Sequence, residues 1–123
     1  MNASAPPPPT DLVRLRDRLR RFAAERDWDQ FHSPKNLAMA LIAEAAELVE
    51  HFQWLSEPQS AALPPEKRAQ VADEIADVLM YVVRIADKLD IDLVAAAAAK
   101  MDRNEAKYPA AKVRGSARKY TEY

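Results

Sequence analysis

Leu41-Ile42-Ala43-Glu44-Ala45-Ala46-Glu47-Leu48 recurs thirty residues later as Val71-Ala72-Asp73-Glu74-Ile75-Ala76-Asp77-Val78. Both stretches read apolar, acid, acid, apolar, with the positions three apart that share a helix face and not the alternation of a strand. Successive helical residues turn by about 100°. With Glu44 at zero, Leu37, Leu41 and Leu48 fall at about +20° to +60° and Glu47 at about −60°. With Glu74 at zero, Val71, Val78 and Ile85 occupy about the same +20° to +60° arc and Asp77 sits at about −60°. Each helix therefore carries one acid inside the edge of its apolar arc and a second one step outside it.

Further helices follow on either side of this pair. Thr10 or Asp11 can cap a first helix whose Leu12, Leu15, Leu19 and Phe22 recur at spacings of three and four. Arg14, Arg16, Arg18, Arg20 and Arg21 surround that stripe and read as its solvated face. Ser33-Pro34, a capping hydroxyl before a proline, opens the second helix, expected to run to about Phe52. Ser56 to Pro65 reads as a loop. Pro65 begins a third helix that keeps its period to Leu89, and Asp92 caps a fourth that ends by Tyr108 because Pro109 cannot continue it. The expectation is all-α, a four-helix bundle-like domain over residues 11–111. It is flanked by a disordered Pro-rich tail, residues 1–10, and an irregular basic C-terminal tail, residues 112–123.

Composition removes most other classes. The 123 residues suit one domain, with 18 basic against 19 acidic side chains and a net charge of −1, so no global basic field attracts nucleic acid. Zero cysteines exclude a disulfide scaffold, a thiolate zinc site and a Cys nucleophile. The single glycine, Gly115, excludes P-loops and dinucleotide-binding turns. No window reaches the length of apolar sequence that a membrane span needs, and the proline-rich start is no signal peptide. A cytoplasmic protein is expected.

If the second and third helices pair antiparallel through their apolar arcs, Glu44, Glu47, Glu74 and Asp77 converge. Four such carboxylates repel in a partly desolvated site unless a cation neutralises them. Oxygen donors without thiolate or imidazole suit Mg²⁺, with Mn²⁺ possible, and Mg²⁺ commonly shares itself with substrate phosphates. Spacing alone leaves four ordinary exposed acids as the alternative. A di-iron site would want two Glu-x-x-His motifs, whereas the one nearby imidazole, His51, lies four residues after Glu47. Around the acids stand flat and polar groups of the kind that read a nucleobase: Trp28, His32, Asn36, Trp54 and Tyr81. Aromatic core plugs are the bland reading of the same residues. Lys100 and Asn104, four apart on the fourth helix, offer a charge and an amide for phosphate, as do Lys112, Arg114, Arg118 and Lys119 in the tail.

The stretch from Arg26-Asp27-Trp28 through His32-Ser33-Pro34-Lys35-Asn36-Leu37 resembles the dCTP pyrophosphatase branch of the MazG-like nucleoside triphosphate pyrophosphohydrolases. So do Glu44 to Leu48, Phe52-Gln53-Trp54, Asp73 to Leu79, Lys100 to Asn104 with Lys107-Tyr108-Pro109, and Ser116 to Glu122. The resemblance covers the chain from about Leu12 onward. It implies Mg²⁺-dependent hydrolysis of a nucleoside triphosphate, dCTP or a modified dCTP, to monophosphate and pyrophosphate. It places the metal ligands at Glu44, Glu47, Glu74 and Asp77; among them Glu47 is read here as the carboxylate that positions the attacking water. It places substrate contacts at Trp28, His32, Trp54, Tyr81, Lys100 and Asn104, and implies a homodimer or homotetramer; charge balance and the lack of a long apolar window add the expectation of no membrane or nucleic-acid partner. Many family members carry Glu-Glu-x-x-Glu on the second helix, and position 43 here is Ala. The reading from another class is a non-catalytic helical oligomerisation or interaction domain.

Overall fold

The caps foreseen in the sequence start the helices in a computed structural model that describes residue 5, residues 8–117 and residue 121. Thr10 Oγ1 accepts from the Val13 N–H at the head of α1, Asp11–Glu25. Ser33 Oγ accepts from Asn36 N–H, with Pro34 at the first position of α2, Pro34–Glu50. Each such cap satisfies a donor that the helix itself leaves open, worth about 1 kcal/mol. Part of the expected Ser56–Pro65 loop is helical: α3, Glu57–Ala61, closes a capping box in which Ser56 and Gln59 bond each other's backbone. The i, i+3 reciprocity of Ser and Gln is a local signal, outweighed in the sequence reading by the flanking prolines. α4 spans Pro65–Lys88, and among the described residues there is no strand.

The chain divides into two compact units, Met1–Asp90 and Ile91–Tyr123. In the first, α2 packs most extensively on α4, and α1 packs on α4 as well. His51, just past the end of α2, lies against Glu74, while Glu44, two turns earlier, meets Asp77. Later positions on α2 thus face earlier positions on α4, the register of an antiparallel pair. Among the described residues the buried apolar ones are few and mostly small: Ala23, Leu37, Val71, Val83 and Ala86. Met39, Ile42 and Val49 on α2 and Ile75 and Leu79 on α4 are exposed. On the 100° wheel these lie about 100° to 160° away from Glu44 and Glu74.

Two junctions shape the first unit. Asp27 adopts φ 54°, and the Asp27 and Trp28 N–H groups donate to the Ala24 and Ala23 carbonyls at 3.2 and 2.9 Å. This is a Schellman ending, usually built on glycine, and its expected apolar contact is present. The Trp28 ring meets Phe22 edge-on at 5.6 Å, with the Arg26 guanidinium over the other ring's face. A 3-10 turn, Asp29–Phe31, then delivers the chain to α2.

The second unit holds α5, Leu93–Lys107, capped by Asp92, and the four-residue α6, Ala110–Val113. The expected disordered tail over residues 1–10 lies largely outside the described residues, as do Arg118 and Lys119 of the basic tail.

Candidate active site

The α2–α4 pair brings three of the four singled-out acids together. Glu44, Glu74 and Asp77 each present a carboxylate oxygen, all within 4.8 Å of one another. One oxygen of Glu44 and one of Glu74 are buried with no hydrogen-bond partner. Such a state is costly for carboxylates unless something else satisfies them. Burial, then a hydrogen bond and charge repulsion from Glu47, then Asp77 and Glu74, push the Glu44 carboxyl up to about 7. Glu47 stands beside Glu44 but is itself exposed and outside the trio. His51 Nε2 lies 3.9 Å from Glu74 Oε1. An all-carboxylate donor set with two orphaned oxygens fits a hard divalent cation.

Adjoining the trio is a cavity of about 440 Å³, in the size range of ligand pockets. Asp77 lines it, and so belongs to the trio and the cavity alike. Trp28, His32 and Tyr81 line it too, with an apolar floor from Leu15, Leu19, Phe22, Leu37 and Met80. The Schellman ending of α1 is what turns Trp28 toward Phe22 and frames this wall.

The remaining candidates are placed differently. Trp54 does not line the cavity and is 87% exposed. Asn36 donates its side-chain amide to the Phe31 carbonyl at 3.1 Å, so it holds the turn that carries His32. Lys100 and Asn104 lie on α5 in the second unit, Lys100 exposed and Asn104 half-buried.

Two arginines not expected at the site also line the cavity: Arg18, read from the sequence as part of the solvated face of α1, and Arg84. Arg84 is the buried charge of the described residues, 6% exposed. Its Nε donates to His32 Nδ1 at 3.2 Å, one terminal nitrogen to Asp87 at 3.3 Å and the other to Asp29. Arg20 also pairs with Asp87, and Lys88 with Asp29. Hydrogen bonds from these cations hold both aspartates below the usual carboxylate range. The sequence signal for Arg84 is its azimuth, seven residues after Asp77 and within about 20° of it on the same helix.

A family model described as the MazG-like family matches residues 40–123. The chain is 49% identical over 120 residues to dCTP pyrophosphatase 1 of Mus musculus, covering 94% of this chain and 69% of that protein. It is 48% identical to dCTP pyrophosphatase 1 of Homo sapiens over the same shares. The crystal structure of a pyrophosphatase from Archaeoglobus fulgidus superimposes with a TM-score of 0.78 at 37% identity, covering 86% of this chain and 99% of that one.

Proposed function

The chain belongs to the MazG-like family, and from that premise we propose that it is a nucleoside triphosphate pyrophosphohydrolase. It hydrolyses a deoxynucleoside triphosphate, dCTP or a modified dCTP, to the monophosphate and pyrophosphate. The observation that carries this reading is Asp77, which faces both the acid trio and the aromatic cavity. A nucleotide with its base between Trp28 and Tyr81 extends its phosphates toward carboxylates, which is favourable only with a divalent cation between them.

Glu44, Glu74 and Asp77, with Glu47 beside Glu44, would hold Mg²⁺ or Mn²⁺. When bound, such a cation neutralises the carboxylates, polarises phosphate oxygens and acidifies water. The chain's own part is positioning. Trp28 and Tyr81 flank the base, and His32 contacts its edge. Water attacks the α phosphorus, the bond to the bridging oxygen breaks, and pyrophosphate leaves. Glu47, exposed and outside the trio, accepts the proton that this water loses. Lys100 and Asn104 meet phosphate charge.

We further assign the catalytic domain to residues 11–111, with residues 112–123 as a basic tail, and the cytoplasm as its compartment. Among the described residues no helix is long and apolar enough to cross a membrane. The exposed apolar stripes of α2 and α4 support a homodimer or homotetramer, in which exposed Trp54 completes a neighbouring subunit's pocket. The test is a panel of nucleoside triphosphates with and without Mg²⁺, products resolved by chromatography. Monophosphate plus pyrophosphate, formed only with Mg²⁺, supports the reading; diphosphate plus phosphate, or no turnover, overturns it.

A further inference from the structure

Arg84 does more than neutralise two aspartates. A guanidinium carries five N–H donors, no acceptor, and keeps its charge at any working pH. The 3.2 Å contact between Arg84 Nε and His32 Nδ1 therefore has one meaning. Arg84 donates, and Nδ1 presents its lone pair. A proton on Nδ1 would set two N–H groups head to head beside a fixed cation. The remaining proton of a neutral imidazole must then sit on Nε2. Arg84 is held in place, since its two other nitrogens donate to Asp87 on its own helix and to Asp29 on the turn that leads into α2. Burial and the charges of Arg84 and Lys88, against the opposing Asp29, also hold His32 below its ordinary range.

We propose that Arg84 is a positioning residue for ligand recognition. By donating to His32 Nδ1 it fixes His32 as the neutral Nε2–H tautomer, so the polar hydrogen that His32 offers its cavity requires a hydrogen-bond acceptor on the facing edge of the ligand's ring. The inference rests on the nucleotide reading for the class of ring. Within that class it has a direction. Cytosine presents ring nitrogen N3 as an acceptor between its carbonyl and its amine, whereas uracil and thymine carry a proton on N3. A donor locked at His32 meets a partner in the first case and an opposed N–H in the second, and an unpaired buried polar group is what gives such sites their selectivity.

The test compares kcat/KM for dCTP and dUTP, in Mg²⁺, for the wild type and Arg84→Met. Asp29 keeps Lys88 and Asp87 keeps Arg20 in this variant, so neither acid is stranded. The dCTP to dUTP ratio is expected to fall about tenfold, one hydrogen bond's worth, through KM more than kcat. The same substitution in a His32→Gln background, where the amide supplies a donor without any need of Arg84, is expected to change the ratio by less than about twofold. An equal loss in both backgrounds, or an unchanged ratio with pyrophosphate still released, overturns the proposal and leaves the enzymatic reading standing. Absence of pyrophosphate release by the wild type overturns that reading instead. Nitrogen-15 NMR of the full chain then tests the tautomer separately, the two histidines being told apart by the His32→Gln spectrum. A pyridine-type Nδ1 and a protonated Nε2 at neutral pH support the proposal. A protonated Nδ1 overturns it, even where Arg84→Met does not fold.

Discussion

At the residue scale the decisive side chain is Glu44, because its position is unfavourable without a partner. Its carboxyl is pushed up to about 7 by burial first and by the neighbouring acids second. A group whose folded pKa lies above its ordinary value of 4.5 takes up a proton on folding between those limits. In the metal-free protein its favourable contribution is fully present below about pH 4.5 and is lost as the pH rises through about 7. Glu44→Gln should flatten that dependence in denaturant titrations run with a chelator. A cation competes with the same proton, so Mg²⁺ affinity should weaken as the pH falls below about 7, with proton release detectable by calorimetry in buffers of different ionisation enthalpy. Glu44→Gln and Asp77→Asn should each lower kcat by about 100-fold or more while the far-ultraviolet helical signal persists. Retained pyrophosphate release in both would detach the trio from the chemistry.

At the element scale, the ends of helices decide where the cavity walls stand. Asp27 holds a left-handed backbone so that Trp28 can fold back on Phe22. A β-branched side chain is poorly suited there, so Asp27→Val should cost about 1–2 kcal/mol and loosen Trp28, whereas Asp27→Gly should not. Thermal melts and tryptophan fluorescence of the two variants check this. The caps at Thr10, Ser33 and Asp92 were legible in the sequence because each is a local bond, complete within four residues. The acid pair on each helix was legible for a related reason, since azimuth depends on spacing alone. Arg84 was not read, because its significance comes from Asp29 and His32, more than fifty residues away in the chain. Asn36 looked like a reader of bases, and its amide instead serves the Phe31 carbonyl. A side chain's partner is a tertiary fact that composition does not carry.

At the scale of the whole molecule, the balance of buried and exposed apolar surface argues for association. Among the described residues five apolar side chains are buried, two of them alanines, and no large side chain is fully buried. Meanwhile Met39, Ile42 and Val49 form one exposed stripe on α2, and Ile75 and Leu79 another on α4. These are the two helices that hold the acid trio on their other faces, so a partner covering the stripes would also stiffen the frame around Glu44, Glu74 and Asp77. Covering what is still exposed of each of these side chains contributes about 0.5–2 kcal/mol before the entropic cost of association. Ile42, 68% exposed, is the sharpest probe, because a charge there disturbs no buried contact of the single chain. Ile42→Glu should shift the sedimentation coefficient toward that of a monomer and make the melting temperature independent of protein concentration. On the proposed pairing it should also raise KM, since a monomer would lose what Trp54 supplies to a neighbouring pocket. Trp54→Ala alone should raise KM in the associated protein and add little in the Ile42→Glu background. Unchanged sedimentation of Ile42→Glu would leave the α2 stripe unpartnered and return Trp54 to the surface of its own chain.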